Sequence, residues 1–325
     1  MLDNFLQILP EVIFDAAEKL GGRCTGRFYA LNALENRVYD IEMEEGPHVI
    51  IKFYRPGRWS RATIQAEHDF LKGLDASEIP IVCPLTDNKG QSIFEISEVM
   101  FTIFPKRPGR LEPELTTEQL TRLGRFMARL HNVGATVKAA PRLRLDPQTY
   151  GRDPLEFLKV GNFVPMELAS RFETIVTQIC DAITPRFGDD VKYVLLHGDC
   201  HSGNILWDRD DPYFIDFDDM LYAPPVQDIW MLTGGDDDYG KERRDILLDA
   251  YEQIRTFDMT TMQLIEPLRA LRMIHFSAWI ARRWEDSAFK IAFPDFGTEH
   301  YWQEQIEGLA LQLEKVQYHT TDLYS

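Results

Sequence analysis

Between His197 and Asp219 the chain reads HGDCHSGNILWDRDDPYFIDFDD, with two histidines, a cysteine, an asparagine and a crowd of aspartates between apolar runs. A metal site, a nucleophilic thiol and phosphoryl transfer all draw on that mixture. His197 and His201 are four apart, a zinc-binding spacing on a helix. Gly198 and Gly203 interrupt the stretch, however, and the Glu of H-E-x-x-H is missing. Cys200 as a nucleophile needs a lowered pKa, and the adjacent Asp199 pushes it the other way. Phosphoryl transfer fits better. It needs a carboxylate to orient and deprotonate the attacking hydroxyl, oxygen ligands for magnesium, and a lysine on the nucleotide phosphates. In H-G-D-x-x-x-x-N, Asp199 and Asn204 stand five apart across a tight loop. The carboxylate can face an acceptor while the amide oxygen faces a metal. Asp216 follows twelve residues after Asn204 at the end of the apolar run YFIDF, and can complete the metal site. Lys52 lies within VIIKFY, where a lone lysine is costly unless paired. Glu67, further along, is its natural partner. The bland alternative makes Asp199 and Asp216 turn acids and Lys52 a snorkelling surface residue; three such side chains with Asn204 at this spacing argue against it.

These residues need elements to hold them. RVYDIEMEEGPHVIIKFYR has two apolar-rich runs around Glu45-Gly46-Pro47 and predicts a β-hairpin carrying Lys52. Ser60 opens a helical stretch carrying Glu67, with Ile64, Phe70, Leu71 and Leu74 on its buried side. Strand-like segments follow around Ile79–Pro84 and Ser92–Phe104. Lys106 to Arg110 reads as a connector. Beyond it, Thr116 with Gln119 fits a capping box, and Leu120, Leu123, Met127 and Leu130 recur at helical spacing. A second helix is expected over Glu167–Ile183. Short strands are expected at Val194–Leu196, Ile205–Trp207 and Tyr213–Phe217, then helices from about Arg243. The plan is α+β: a small β-rich lobe over residues 1–104 that binds nucleotide, and a larger, mainly helical catalytic lobe over 105–325.

The chain has 325 residues, 44% hydrophobic and 27% charged, ordinary globular composition. A formal net charge of -17 argues against a general nucleic-acid surface, which needs clustered Lys and Arg. Cys24, Cys83, Cys180 and Cys200 are far apart with no C-x-x-C pair, so neither a disulfide framework nor a structural zinc site is expected. MLDNFLQILPEVIFDAAEKL lacks a basic leader region and reads as an amphipathic helix. No apolar run approaches the roughly 18 residues of a membrane span. The expectation is a cytoplasmic monomer with no membrane or nucleic-acid partner.

HGDCHSGN followed by FIDFDD resembles the eukaryotic-protein-kinase-like superfamily, in the branch shared with aminoglycoside and choline phosphotransferases. There H-G-D stands for the kinase H-R-D and D-x-D for D-F-G. The segments ENRVYDIE, IKFYRPGRW, LHGDCHSGNILW, PPVQDIWML, LIEPLRALRM and WIARRW, spanning roughly Glu35 to Trp284, resemble a bacterial Ser/Thr protein kinase subfamily of that branch with a stress-response role. The resemblance implies a bilobal kinase-like fold, with ATP and Mg2+ as cofactors and protein Ser/Thr hydroxyls as substrates. It implies Asp199 as catalytic base, and Asn204 and Asp216 as magnesium ligands, Asp216 bridging to the phosphates. Lys52 is implied on the α- and β-phosphates, paired with Glu67. The turn Asn32–Asn36 is implied over the phosphates, with Ala33 offering backbone, and Phe104 beside the adenine. His197 and Asp228 are expected to brace the loop; His201, Asp218 and Asp219 stay open.

The chain departs from ordinary protein kinases in three ways. The phosphate-covering turn has no G-x-G-x-x-G, and Gly21, Gly22 and Gly26 read as turn residues. Gly198 replaces the Arg that commonly pairs with an activation-loop phosphate. Only eight residues lie between Asp219 and Asp228, with no A-P-E after them. The short segment favours a small-molecule acceptor of aminoglycoside, choline or sugar type, while the whole-chain resemblance favours a protein. A nucleotide-binding pseudokinase is the third reading, opposed by the retention of Lys52, Asp199, Asn204 and Asp216. Activity is expected without phosphorylation of the 219–228 segment. Phosphatase-treated protein, its mass checked by intact mass spectrometry, should keep full transfer activity, and a required phosphosite in that segment would contradict this.

Overall fold

The computed structural model describes residues 2–235 and 237–321. Helices α1 (Leu2–Leu6) and α2 (Pro10–Ala17) precede strands β1 (Cys24–Ala30), β2 (Arg37–Met43) and β3 (Val49–Phe53). Helix α3 (Arg61–Ala76) leads to β4 (Phe94–Ile96), β5 (Val99–Pro105) and β6 (Arg110–Leu111). Then come α4 (Thr117–Thr136), α5 (Asp153–Val160), α6 (Met166–Ile183), β7 (Val194–Leu196), β8 (Ile205–Asp208), β9 (Asp211–Phe214) and β10 (Leu221–Ala223). The chain finishes with α7 (Val226–Thr233), α8 (Asp238–Glu252), α9 (Ile265–Ala281), α10 (Ser287–Ala292) and α11 (Glu299–Thr321). The fold is mixed, with a β-sheet in the N-terminal region and a helical remainder. No described helix is long and apolar enough to cross a membrane.

The described residues form two compact units. The first comprises those of Met1–Arg142, Asp199–Met220 and Leu232–Thr256. Its main sheet is antiparallel, in the order β1-β2-β3-β5-β4. The expected hairpin is β2–β3, with Gly46 at φ +86 in its turn, where an L side chain would be strained. Strand periodicity divides the sheet's faces. Ile51, Phe53, Phe101 and Ile103 pack on one side with Phe5, Ile13, Ala16 and Ala17. On the other side, Ile50 pairs with Phe104 and Lys52 with Thr102. The sheet therefore presents Lys52 and Phe104 on the face away from that core.

Helix α3 buries Ile64, Phe70, Leu71 and Leu74 as the spacing predicts, together with Glu67 and His68. Ser60 caps it by accepting a hydrogen bond from the Thr63 N–H. The capping box at Thr116 forms in both directions, to and from Gln119. Helix α4 packs along α8, where a Cβ at Gly124 would lie 2.2 Å from the Leu247 carbonyl oxygen. Glycine is what permits that approach. Three strands, β6-β8-β9, form a second sheet in this unit.

The second unit comprises the described residues of Leu143–Gly198, Leu221–Met231 and Phe257–Ser325. Its β7–β10 pair aligns Leu196 with Leu221 and Val194 with Ala223. Helices α6, α9 and α11 surround buried Phe172, Ile179, Leu271 and Trp302. Phe172 and Trp302 meet edge-to-face at 5.1 Å. Arg282 and Arg283 lie over Phe157 and Trp279, a structural use of that basic pair.

Three of the expected elements differ from the structure. The N-terminal amphipathic segment is two helices, because Pro10 cannot continue a helix from α1 and instead starts α2. The Ile79–Pro84 run makes no strand, only an isolated bridge from Ile81 to Phe214; its two prolines limit ladder bonds. The last strand stops at Phe214, short of Asp216.

The capping box should contribute measurably. Thr116→Ala is expected to lower unfolding free energy by about 1 kcal/mol, read as a shift in urea midpoint with unchanged slope.

Candidate active site

Asp199, Asn204 and Asp216 sit on one loop–hairpin unit. Ile205 pairs with Phe214 across β8–β9. The ladder continues one step further, where the Ile215 N–H donates to the Asn204 carbonyl at 3.0 Å. That bond brings Asn204 beside the residue preceding Asp216. Asp216 is in the left-handed region at φ 59, ψ 64, so the chain turns there. Its side chain keeps 53% exposure. A non-glycine residue in this conformation is uncommon and marks a position to inspect for function.

Asn204 donates through Nδ2 to the Asp199 carbonyl at 2.9 Å. The same Nδ2 lies 3.4 Å from Asp199 Oδ2. Those contacts turn Oδ1 of Asn204 into the atom able to ligate a cation. Upstream, Asp228 near the start of α7 accepts the His197 N–H at 3.1 Å and the Gly198 N–H at 2.9 Å. Gln227 donates to the Gly198 carbonyl at 3.1 Å. Gly198 has φ +84, which explains why glycine precedes the aspartate here. His197 is wholly buried and Cys200 nearly so, both as scaffold.

Lys52 meets these acids. Its Nζ lies 2.8 Å from Asp216 Oδ1 and 3.3 Å from Asp218 Oδ1. Burial alone would favour the neutral amine; the Asp216, Asp218 and Glu67 carboxylates outweigh it and hold the pKa well above the ordinary lysine value. The expected Lys52–Glu67 pair is replaced. Glu67 Oε2 accepts instead from Arg142 Nη2 at 3.2 Å. Arg142 also donates to the carbonyls of Asp218, at 2.6 Å, and Thr63, at 3.0 Å. It ties α3 to the Asp216–Asp219 turn, and Asp218 takes the lysine contact left open. Burial, against the pull of Lys52 and Arg142, raises the Glu67 pKa to about 7.

Asp218 is the hub. It accepts from Asn36 Nδ2 at 2.9 Å and pairs with Arg58. Burial would raise its pKa, but Lys52, Arg58 and the Asn36 hydrogen bond hold it below the usual carboxylate range. Arg58 reaches Asp219 as well, at 2.5 Å, and lies 3.7 Å from Glu35. Asn36 Oδ1 accepts the Arg55 N–H at 3.2 Å, so both amide atoms secure the end of the 32–36 turn. Ala33 is half-buried in that turn. Phe104 sits edge-on to the His68 ring at 6.4 Å. His68 is held neutral, its pKa lowered to about 3 by burial, with Ser92 Oγ 2.7 Å from Nδ1.

The structure thus brings together Lys52, Asp216, Asn204 and Asp199, and keeps Glu67 close by through Arg142. Sequence reasoning missed Arg58 and Arg142, and placed Asn36 in the 32–36 turn without its bond to Asp218. Arg58 and Asn36 lay within quoted segments, IKFYRPGRW and ENRVYDIE; Arg142 stands in APRLRL with no local signal. Among the described residues no three His, Cys, Asp or Glu side chains gather into a metal cage. One carboxylate and one amide oxygen nevertheless fit magnesium, which takes few protein ligands and completes its shell with phosphates and water.

A buried lysine on a strand, facing an acid beside an H-G-D-x-x-x-x-N loop, defines a protein-kinase-like phosphotransferase. The chain belongs to the phosphotransferase enzyme family (APH), whose model matches residues 30–265. It is 35% identical over 302 residues to stress response kinase A of Shigella flexneri, covering 93% of this chain and 92% of that protein. It is 36% identical over 308 residues to serine/threonine protein kinase RdoA of Salmonella typhimurium, covering 94% and 93%. Amicoumacin kinase, solved with AMP-PNP, Ca2+ and Ami, shares the fold with TM-score 0.70 at 21% identity, over 88% of this chain and 92% of that one.

The Glu67 shift has a definite sign. A carboxyl whose folded pKa exceeds its unfolded value binds more protons when folded, so its stabilising contribution is lost as pH rises. The window runs from the ordinary 4.5 to about 7. Glu67→Gln should remove this contribution. The stability difference between wild type and variant, from urea unfolding across that range, is expected to shift against the wild type as pH rises.

Proposed function

We propose that the chain is an ATP- and magnesium-dependent kinase that phosphorylates Ser and Thr hydroxyls of proteins, acting as a cytoplasmic monomer. The observation that carries the reading is the Lys52–Asp216 contact, 2.8 Å across 164 residues of sequence, beside the Asp199–Asn204 loop. In this reading Lys52 contacts the α- and β-phosphates of ATP. Residues Asn32–Asn36, with the Ala33 backbone, cover the phosphates, and Phe104 borders the adenine on the Lys52 face of the sheet. Magnesium, when bound through Asn204 Oδ1 and the Asp216 carboxylate, offsets phosphate charge. Asp199 orients the acceptor hydroxyl and accepts its proton. The hydroxyl oxygen bonds to the γ-phosphorus as the bond to the β,γ-bridging oxygen breaks, leaving ADP. Glu67 contributes through Arg142, by fixing α3 against the Asp216–Asp219 turn.

The protein acceptor is supported by relatives that match over more than nine-tenths of both chains and bear the names stress response kinase A and serine/threonine protein kinase. A small-molecule acceptor is the second reading. It is favoured by the short span from Asp219 to Asp228, where β10 and the start of α7 leave no long docking segment.

Transfer of labelled γ-phosphate from ATP into Ser/Thr protein acceptors, casein and myelin basic protein, tests both. Label should enter protein and fall by at least about a thousand-fold in Asp199→Asn and Asp216→Asn. Only Asp216→Asn should also weaken magnesium-dependent nucleotide binding by calorimetry. No label in protein, with ADP release on amino-sugar or choline-type acceptors, would move the assignment to the second reading.

A further inference from the structure

We propose that His201 is a positioning residue that sets the Asp199 carboxylate, and that Gly203 aims its ring; this rests on the reading of Asp199 as the base. Asp199 Oδ2 has two nitrogen neighbours within its own loop. His201 Nε2 is 3.5 Å away and Asn204 Nδ2 is 3.4 Å away. Contacts of this length commonly tighten when substrates load.

The ring is not free to choose its tautomer. His201 Nδ1 accepts the Gly203 N–H at 3.0 Å. A backbone amide only donates, so Nδ1 carries the lone pair and the neutral ring bears its proton on Nε2. That proton is on the side of Asp199. The backbone locks this arrangement, because the Asn204 N–H donates to the His201 carbonyl at 2.9 Å and closes a short turn over Ser202–Asn204.

Gly203 is needed for space. Its φ is not among the positive values, so another residue could adopt the backbone. A Cβ there would lie 2.8 Å from His201 Cε1 and 2.9 Å from Nδ1, so any side chain pushes the ring off Asp199. His201 keeps 42% side-chain exposure, unlike the buried His197, which places it at the rim of the loop where an acceptor meets the base. It therefore acts through the base, holding one carboxylate oxygen by hydrogen bonding while the hydroxyl approaches.

Two measurements test this. Long-range proton–nitrogen spectra of 15N-histidine-labelled protein, with His201 identified by its loss in His201→Gln, should show the Nε2–H tautomer. Gly203→Ala should abolish that signature. In γ-phosphate transfer, His201→Ala should lower kcat about ten- to a hundred-fold with KM for ATP little changed, and His201→Gln, which keeps a donor, should recover part of it. Gly203→Ala should cost a similar factor in the wild type and nothing further in the His201→Ala background. An Nδ1–H tautomer, or a Gly203→Ala loss of equal size in both backgrounds, would overturn the proposal. Transfer that survives Asp199→Asn would instead overturn the base assignment, a failure that neither of those results mimics.

Discussion

Everything at the site depends on a buried ionic cluster. Lys52 and Arg142 are among the least exposed basic side chains of the first unit, and Asp218 and Glu67 among its least exposed acids. Charges taken from water cost several kcal/mol each, and are tolerated only when partners and hydrogen bonds replace the hydration. Here each charge is satisfied by residues distant in sequence: Lys52 by Asp216 and Asp218, Arg58 by Asp218 and Asp219, Arg142 by Glu67. Slipping any one element would strand a charge, so the cluster enforces a single register among the sheet, α3 and the Asp216–Asp219 turn. Its net worth to stability is small compared with what it costs to break.

Two further devices secure the segments on either side of Asp199, each within its own unit. The β8–β9 hairpin fixes Asn204 against Ile215, and so fixes the separation of the two proposed metal ligands. Asp228, two residues inside α7, holds the amides of His197 and Gly198 just before Asp199. The first is a backbone–backbone ladder and the second uses one short carboxylate side chain, so few rotors must be frozen. Lys52 is carried on a strand, while Asp199, Asn204 and Asp216 lie on short segments that flank the β8–β9 hairpin.

What could be read in the chain divides along the same physical line. Local signals were legible: the capping box at Thr116, the apolar face of α3, the hairpin around Gly46, and the H-G-D-x-x-x-x-N spacing with Asp216. Each depends on residues close in sequence, where period and turn chemistry act. The choice of partner for Lys52 was not legible. Glu67 was the obvious candidate, but which acid meets a lysine is settled by where Arg142 lands, and nothing in APRLRL announces that. The end of β9 was misjudged for a related reason. YFIDF has the composition of a strand throughout, yet the packing of Asp218 against Asn36, Lys52 and Arg58 turns the chain at Asp216 and takes precedence over β-propensity.

The acceptor side obeys a different constraint from the phosphate side. Lys52, Asp218, Arg58 and Arg142 are enclosed, and their identities follow from mutual charge satisfaction. Asp199 and His201 lie on the more open loop, where only Asp199 has a role in the proposed transfer chemistry. A fold shared at 21% identity with a kinase solved with Ami can keep the first set of requirements while the second drifts. This is why phosphoryl transfer follows from the architecture and the family, whereas the acceptor must be argued from close relatives. It also explains why His201 and Gly203 are the informative pair. His201 lies 3.5 Å from the proposed base Asp199 and Gly203 holds its ring, both outside the enclosed cluster, so their geometry reports on how this chain, and not the fold at large, sets that carboxylate.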